Sequence, residues 1–258
     1  MKIFDITIFW VHISPSYYWL MYALWFIFSY LILRKRKCFS EKELDSLMLY
    51  VFIWVILWGR LWYVLFYDFS YYLKNPLDII ATWKWWMSFH GWVLWVIIAM
   101  ILFTIKNYRV SLKKASIKDF KKQFLKVADN VVSVLPIWLG LWRIGNYLNK
   151  ELLWREYAWF LAVEKNGKYY FPIPLLEALF EWLILYIIVT IILKKSKNPW
   201  QTGWAFLFFY GIFRFTIEFL RVPDAQLWYI YWLLTMGQIL SIPMIILWAY
   251  FLLKKNAN

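Results

Sequence analysis

Long apolar runs, separated by short polar and charged segments, recur along the whole chain. A helix needs about 20 consecutive apolar residues to cross the hydrocarbon layer of a bilayer, with a range of about 17–25. Runs of this length occur at Tyr17–Leu33, Leu47–Phe66, Met87–Ile105, Phe124–Leu141, Leu175–Leu193, Trp204–Leu220 and Trp232–Leu253. The pattern predicts an all-α polytopic membrane protein with seven transmembrane helices, forming a single domain over residues 1–258.

The composition excludes most other classes of protein. Residues of the set AVILMFWYC make up 64% of the 258 residues and charged residues 17%, against about 45–50% and about 25% in soluble domains. A soluble enzyme, a secreted disulfide scaffold and a disordered chain are therefore excluded. The only cysteine, Cys38, can form no internal disulfide. Two histidines and one cysteine far apart in the chain do not build a four-ligand metal site.

Lys and Arg are distributed unequally between alternate loops. They are concentrated after the first, third and fifth runs and at the C-terminus, for example at Arg34–Lys37 and at Lys254 and Lys255. Because cytoplasmic loops carry the excess of cations, we expect the C-terminus in the cytoplasm and the N-terminus outside. The net charge of +14 is then explained by topology and contact with anionic lipid, not by nucleic-acid binding. Two outer segments are longer than a connection requires, an interfacial arm at about 67–86 and a small periplasmic-side head at about 143–172.

Several charged residues fall inside the apolar runs, where each costs about 2.5–3.5 kcal/mol on insertion scales. Arg214, Glu218 and Arg221 follow one another at i, i+4 and i+7 and therefore share one face of the sixth predicted helix. Arg214 and Glu218 could simply neutralise each other. That interpretation leaves the second cation, Arg221, unexplained.

A further polar group stands at the outer end of the fourth run, where Asn146, Asn149 and Glu151 follow Arg143. The guanidinium fork of arginine matches phosphate oxygens, and asparagine adds neutral donors. The group indicates a site for a phospholipid phosphate; the alternative is an arginine that snorkels from a helix end. His90, at the start of the third run, is either a hydrogen-bonded structural residue or part of the chemistry.

Several motifs resemble those of the prolipoprotein diacylglyceryl transferase family, in the family's order along nearly the whole chain. They are LMY at Leu20–Tyr22, GRLWYVLFY at Gly59–Tyr67, SFHG at Ser88–Gly91, RIGNYLN at Arg143–Asn149, YGIFRFTIEFLRVPDAQ at Tyr210–Gln226 and LLTMGQ at Leu233–Gln238. The resemblance implies seven helices in the bacterial plasma (inner) membrane. It also implies transfer of the diacylglyceryl group of phosphatidylglycerol to the lipobox cysteine of a prolipoprotein, the first step of lipoprotein maturation, forming a thioether and releasing glycerol phosphate.

The resemblance also implies roles for individual residues. Arg143 would hold the lipid phosphate and Arg214 would be the second cation. Residues shaping that binding site would be Asn146, Asn149, Glu151, Glu218 and Arg221, and the reacting centre would add His90, Tyr22 and Tyr210. The substrate thiol, with an ordinary pKa near about 8.5, must lose its proton; His90, a carboxylate or the lipid phosphate could accept it. The partners implied are phosphatidylglycerol, the lipobox peptide and membrane lipids, with no nucleic acid, metal or organic cofactor.

Tryptophan is in unusual excess, with 21 Trp against 8 Gly. In the resemblance, family glycines appear as tryptophan at Trp19, Trp25, Trp58, Trp62, Trp85, Trp86, Trp92, Trp95, Trp138, Trp142, Trp154, Trp182 and Trp228. Our hypothesis is that the source reads UGA as glycine, whereas the printed chain reads it as tryptophan. Glycines permit close helix contact in membranes, so we expect the printed chain to fold poorly or lack activity.

Two other functions use the same residue types. A solute or lipid transporter would place buried charges along its pathway, but the two halves of the chain show no duplication and the polar residues cluster toward the outer side. A non-enzymatic membrane scaffold would use the charges as packing ion pairs. Arg143→Ala separates these functions, since only a transferase should lose turnover.

Overall fold

The structure is a computed structural model that describes residues 6–8, 11–13, 17–66, 69–75, 89–112, 117–152, 156–157, 160–196, 198–220 and 235–256. The helices are α1 (Tyr17–Arg36), α2 (Glu41–Phe66), α3 (Phe69–Lys74), α4 (Phe89–Leu112), α5 (Ile117–Val132), α6 (Leu135–Leu148), α7 (Ile173–Glu177), α8 (Leu185–Lys195), α9 (Gln201–Glu218) and α10 (Met236–Asn256), with a π-helical segment at Ala178–Ile184 joining α7 to α8. The strands are β1 (Ile6–Ile8), β2 (Val11–Ile13), β3 (Val163–Lys165) and β4 (Lys168–Tyr170). Contacts divide the chain into two compact units, Met1–Ser29 with Asp129–Asn258, and Tyr30–Ala128.

The described chain is mostly helical, as an all-α membrane protein requires. Within the described residues, each of the seven apolar runs lies mainly on helical backbone. Two stretches of the described residues are long and apolar enough to cross a membrane, Ile117–Leu148 and Ile173–Lys195, with mean hydropathies of 1.5 and 2.2. The second carries an exposed stripe of large apolar side chains at four-residue spacing: Leu179, Leu183, Ile187 and Ile191. Such a stripe suits contact with lipid chains.

The fourth run differs from its prediction as one continuous helix. It lies on α5 and α6, which are separated by a turn at Ser133 and Val134. Pro136 stands in the first turn of α6, where its missing N–H removes no helical hydrogen bond. A proline one turn later would clash with the preceding carbonyl, so the helix restarts at this point.

In the unit Tyr30–Ala128, α2 packs along α4. Ser40 begins α2 with a capping box, in which its backbone N–H donates to Glu43 Oε2 at 2.9 Å and its hydroxyl accepts from the Glu43 backbone N–H at 3.4 Å. Leu44, Leu47 and Phe103 are buried between the helices. A cation adds to this apolar burial, since Lys106 Nζ of α4 lies 5.3 Å from the ring centroid of Tyr50 in α2.

In the other unit, Asp129 is an acid inside the fourth apolar run, and its partners account for its presence there. Its buried carboxylate accepts the backbone N–H of Trp200 at 2.5 Å and of Gly203 at 2.9 Å. These donors lie at the start of α9, which has no partners for its first N–H groups within the helix. Asp129 therefore caps α9 from a distant part of the chain.

The same unit holds two features that bear on the excess of tryptophan. A Cβ atom placed on Gly140 of α6 would overlap the Cβ of Trp182 in the π-helical segment, so the two backbones cross in close contact there. Trp200 has φ 75° and ψ 0°, the left-handed region, which bulky residues rarely adopt and glycine adopts freely. Both features are typical of glycine positions, and Trp200 adds a position to those recognised in the sequence.

The predicted periplasmic-side head, at about 143–172, begins inside α6 and includes a β-hairpin. Strands β3 and β4 pair antiparallel with Lys165 opposite Lys168. The two turn residues, Asn166 and Gly167, both have positive φ, as a type I′ turn requires. Of the predicted interfacial arm, the structure describes α3 and Asn75.

Candidate active site

Five charged side chains from four helical segments form one buried network, here named the charged cluster. Its members are Arg143 of α6, Glu177 of α7, Glu181 of the π-helical segment, and Arg214 and Glu218 of α9. Arg214 and Glu218 are one turn apart and their side chains meet at 2.8 Å. The pairing expected from their spacing is therefore present, but it is part of a larger network.

Glu177 joins the two arginines. Its Oε1 lies 2.7 Å from Arg214 Nη1 and its Oε2 lies 3.2 Å from Arg143 Nη1. Glu181 adds a second link, since its Oε2 accepts the Arg143 Nε–H at 3.1 Å. One carboxylate bridging two guanidinium groups fixes the spacing between them.

The cluster lies almost entirely out of solvent. The side chains of Glu177 and Glu181 are 0% exposed, that of Arg143 11% and that of Arg214 14%. Buried charges of this kind persist only when they are paired and hydrogen-bonded. The slight exposure of the two arginines leaves them as the members through which an outside anion could reach the cluster.

Helix α10 makes room for one of the carboxylates. A Cβ atom on Gly237 would lie 2.9 Å from the Glu218 carboxylate, tighter than nonbonded atoms tolerate. Thr235 and Gln238 cap the start of α10, since the Thr235 N–H donates to Gln238 Oε1 at 3.0 Å and the Gln238 N–H to the Thr235 hydroxyl at 3.3 Å. Within the LLTMGQ motif, Thr235, Gly237 and Gln238 therefore fix the start of this helix against the charged cluster.

A second polar group, here named the Asn146 cluster, lies one turn further along α6. Asn146 Nδ2 donates to the Tyr18 hydroxyl at 2.6 Å and to Glu151 Oε2 at 3.3 Å, and the Tyr18 hydroxyl donates to the same Glu151 oxygen. Asn146 is buried, and its Oδ1 has no hydrogen-bond partner among the described residues. Asn149 is also within hydrogen-bonding reach of the Tyr18 hydroxyl.

Local backbone geometry positions Glu151. The chain leaves α6 through Lys150 and Leu152, whose φ values are 55° and 53°, and the Glu151 N–H donates to the Asn146 carbonyl at 2.9 Å. The two positive φ values and this hydrogen bond turn the chain back, so that the Glu151 carboxylate lies against the end of α6. Because Arg143 and Asn146 are three residues apart on α6, the two clusters are separated by about 4.5 Å along its axis.

Aromatic rings lie beside both clusters. Trp142 stacks on Tyr18 with ring centroids 4.6 Å apart, and meets Tyr22 edge-on at 5.9 Å. Tyr210 lies one turn before Arg214 on the same face of α9 and stacks on Phe206 at 5.7 Å. Tyr22 therefore contacts an indole ring.

The structure brings together most, not all, of the residues named from the sequence. Arg143, Arg214 and Glu218 meet in the charged cluster, and Asn146, Asn149 and Glu151 surround Tyr18. His90 lies in the first turn of α4, but its side chain is outside the described residues, as is all of Arg221. Their roles stay predictions.

Three residues of the two clusters were not assigned a role from the sequence. Glu177 and Glu181 stand out as acids inside an apolar run, a signal that marks them as costly without naming their partners. Tyr18 carries no such signal, because tyrosine is ordinary at a membrane interface and its partner Glu151 is 133 residues away.

An apolar helical chain with a buried, carboxylate-bound pair of arginines is typical of an integral membrane protein with a polar centre. The model of the prolipoprotein diacylglyceryl transferase family matches residues 5–254, and the chain belongs to that family. Three similar proteins are each named phosphatidylglycerol–prolipoprotein diacylglyceryl transferase. That of Pasteurella multocida is 38% identical over 93% of this chain and 88% of its own length. The proteins of Aeromonas hydrophila and Buchnera aphidicola are 37% and 32% identical, over 92% and 91% of this chain and 85% and 89% of their own lengths.

Proposed function

We propose that the chain transfers the diacylglyceryl group of phosphatidylglycerol to the cysteine thiol of a prolipoprotein lipobox. The sulfur forms a thioether bond to the glyceryl carbon, the bond from that carbon to the phosphate oxygen breaks, and glycerol phosphate leaves with the electron pair. Membership of the family and the names of its relatives support the reaction. The observation that carries the site is the pair of arginines bridged by Glu177.

The charged cluster suits the departing phosphate. Negative charge grows on the phosphate oxygens as the carbon–oxygen bond breaks, and fixed donors aimed at developing charge are an effective source of catalysis. Arg143 and Arg214 supply two such donors from different helices, and Glu177 holds them at one spacing. Because the carboxylates fix the guanidinium groups before substrate arrives, little reorganisation is left for the reaction.

The Asn146 cluster supplies neutral donors and acceptors beside the phosphate. The Tyr18 hydroxyl and the Asn146 amide are held by Glu151, and Asn146 Oδ1 is buried without a hydrogen-bond partner among the described residues. We assign this group to the glycerol headgroup, whose hydroxyls can fill that open position. Tyr22 and Tyr210 lie beside the two clusters. His90 stays a candidate for the proton acceptor, and Arg221 stays a candidate for an outer cation.

The topology belongs to the same proposal. Seven helices of a single domain cross the bacterial inner membrane, with the N-terminus and a head at about 143–172 on the periplasmic side, an arm at about 67–86 in the interface, and the C-terminus in the cytoplasm. Cys38, exposed after α1, tests this arrangement as the chain's single cysteine. A membrane-impermeant maleimide should label it only after cells are permeabilised, whereas Asn166→Cys in a Cys38→Ser background should be labelled in intact cells. The reverse pattern would overturn the orientation.

The reaction is tested by transfer of labelled diacylglyceryl from phosphatidylglycerol to a lipobox peptide. The assay uses membranes that carry either the printed chain or a chain with glycine at the family positions. The Arg143→Ala variant of each chain is measured beside it. Arg34→Ala is the matched control, because Arg34 is an exposed arginine that pairs with Glu41 on the surface at 2.7 Å. Transfer that Arg143→Ala abolishes and Arg34→Ala leaves unchanged supports the proposal. Folded protein without transfer in both chains would contradict it and favour a transporter.

A further inference from the structure

The charged cluster has one carboxylate more than it has guanidinium groups. Three of its carboxylate oxygens have no hydrogen-bond partner among the described residues: Glu177 Oε2, Glu181 Oε1 and Glu218 Oε2. Both oxygens of Glu177 face a guanidinium, at 2.7 and 3.2 Å, and Glu218 Oε2 meets Arg214 at 2.8 Å. Glu181 is different. Its Oε2 accepts from Arg143, but its Oε1 lies 3.8 Å from Arg214 Nη1, so of the three oxygens it is the one held least closely by a cation.

Burial makes the ionised form of the Glu181 carboxylate unfavourable. Glu181 is 0% exposed, so water cannot stabilise Oε1, and a buried ionised carboxylate with an unmatched oxygen is unfavourable. A proton on Oε1 removes the surplus charge while Oε2 keeps accepting the Arg143 Nε–H. The remaining charges, Arg143 and Arg214 against Glu177 and Glu218, then balance.

The charge balance matters most when an anion arrives. With Glu181 ionised, a phosphate would approach a cluster that is already negative; with Glu181 neutral, it would meet a balanced one. The groups that face Glu181 from the packed elements are Arg143 of α6, Glu177 of α7, and Arg214, Glu218 and the phenol of Tyr210 on α9. Of these, only the two arginines favour an anion.

We propose that Glu181 is a neutral positioning residue, which carries a proton on Oε1 while the cluster holds the lipid phosphate and orients Arg143 through its Nε–H. The inference rests on the proposed function of the cluster as a phosphate site. It assigns Glu181 a role different from that of Glu177, although the two residues are four positions apart on neighbouring turns.

The test measures affinity for a short-chain phosphatidylglycerol, whose phosphodiester keeps one negative charge throughout the range. It uses the purified full chain with glycine at the family positions, in detergent, and this parent is the unmodified chain of the comparisons. Glu181→Gln is a nearly isosteric, permanently neutral version of the proposed state. It should bind within about tenfold of the unmodified chain near about pH 6 and keep that affinity to about pH 9, because it has no proton to lose. In the unmodified chain, the affinity should fall by about tenfold per pH unit at the pH values where Glu181 loses its proton.

Glu177→Gln is the matched control, and its readout is folding rather than binding. Removing that charge leaves two buried arginines short of a partner and should lower the thermal midpoint by about 10 °C, whereas Glu181→Gln should change it little. The proposal is overturned if folded Glu181→Gln loses about 100-fold in affinity near about pH 6, if it weakens toward about pH 9, or if it melts as early as Glu177→Gln. If the unmodified chain binds no phosphatidylglycerol, the proposed phosphate site is wrong, and the melting comparison still tests the charge state of Glu181.

Discussion

The left-handed backbone at Trp200 allows a test of whether this position is built for glycine. A residue with a Cβ atom in this region costs roughly 1–2 kcal/mol relative to its ordinary conformations. Glycine avoids that cost but loses about 0.5–1 kcal/mol of chain entropy. Comparing Trp200→Gly with Trp200→Ala isolates the backbone contribution, since both variants lack the indole, which packs on Gly203. We expect Trp200→Gly to be the more stable of the two by about 1 kcal/mol.

Trp204 provides the control, one turn further into α9. Its ring meets that of Trp200 edge-on at 5.9 Å, but its backbone is part of the helix. There the order should reverse, with alanine about 1 kcal/mol more stable than glycine. Thermal midpoints of the four purified variants in detergent measure both differences, which correspond to shifts of about 2–4 °C in opposite directions. If alanine is the more stable substitution at both positions, the backbone argument for glycine at 200 is refuted.

Three further predictions concern α9 and the Asn146 cluster. Asp129→Ala should destabilise the protein by about 2–4 kcal/mol, because it removes a buried cap and leaves two N–H groups without acceptors; denaturant titration checks this. Lys122→Ala, exposed on the same helix, should change stability by less than about 0.5 kcal/mol. Tyr18→Phe should lower kcat/KM for lipid transfer by about 10–100-fold, since it leaves Asn146 and Glu151 without the hydroxyl; unchanged kinetics would remove Tyr18 from the site. Trp142→Gly should raise transfer, because its indole fills the space against Tyr18; a variant that folds and transfers less would count against glycine at this position.

The hypothesis that tryptophan stands at glycine positions can also be tested in the gene. If UGA is read as glycine in the source, the codons for Trp142, Trp154, Trp182 and Trp200 should be UGA. The close crossing at Gly140 and the positive φ of Trp200 favour that reading at 182 and 200. UGG codons at these positions would end the hypothesis.

The features that could be predicted from the sequence are those encoded by local residue patterns. Apolar runs identified the helical segments, and four-residue spacing placed Arg214 beside Glu218, a pair that the structure shows at 2.8 Å. The turn before Pro136 was less evident, because the apolar run continues through it. The hairpin at Asn166 and Gly167 had a turn signal that the helical pattern overshadowed.

The partners of the buried acids could not be predicted, because they lie far apart in the chain. Glu177 meets Arg214 across 37 residues, and Asp129 caps α9 at Trp200 across 71. No periodicity within one helix specifies which other helix lies against it. The acids were recognisable as costly, but only the packed helices show that Glu177 joins two arginines.

The central claim is that Arg143 and Arg214 act on one phosphate. A double-mutant cycle tests it most directly, in the chain with glycine at the family positions. In that parent, kcat/KM for phosphatidylglycerol is measured for Arg143→Lys, Arg214→Lys and the double variant. Lysine keeps the charge but loses the planar fork, so each single variant should lose about 100-fold or more. Because both arginines share Glu177 and one anion, we predict that the double variant loses far less than the product of the single losses. Losses that simply multiply, or a single variant that retains full activity, would contradict the claim.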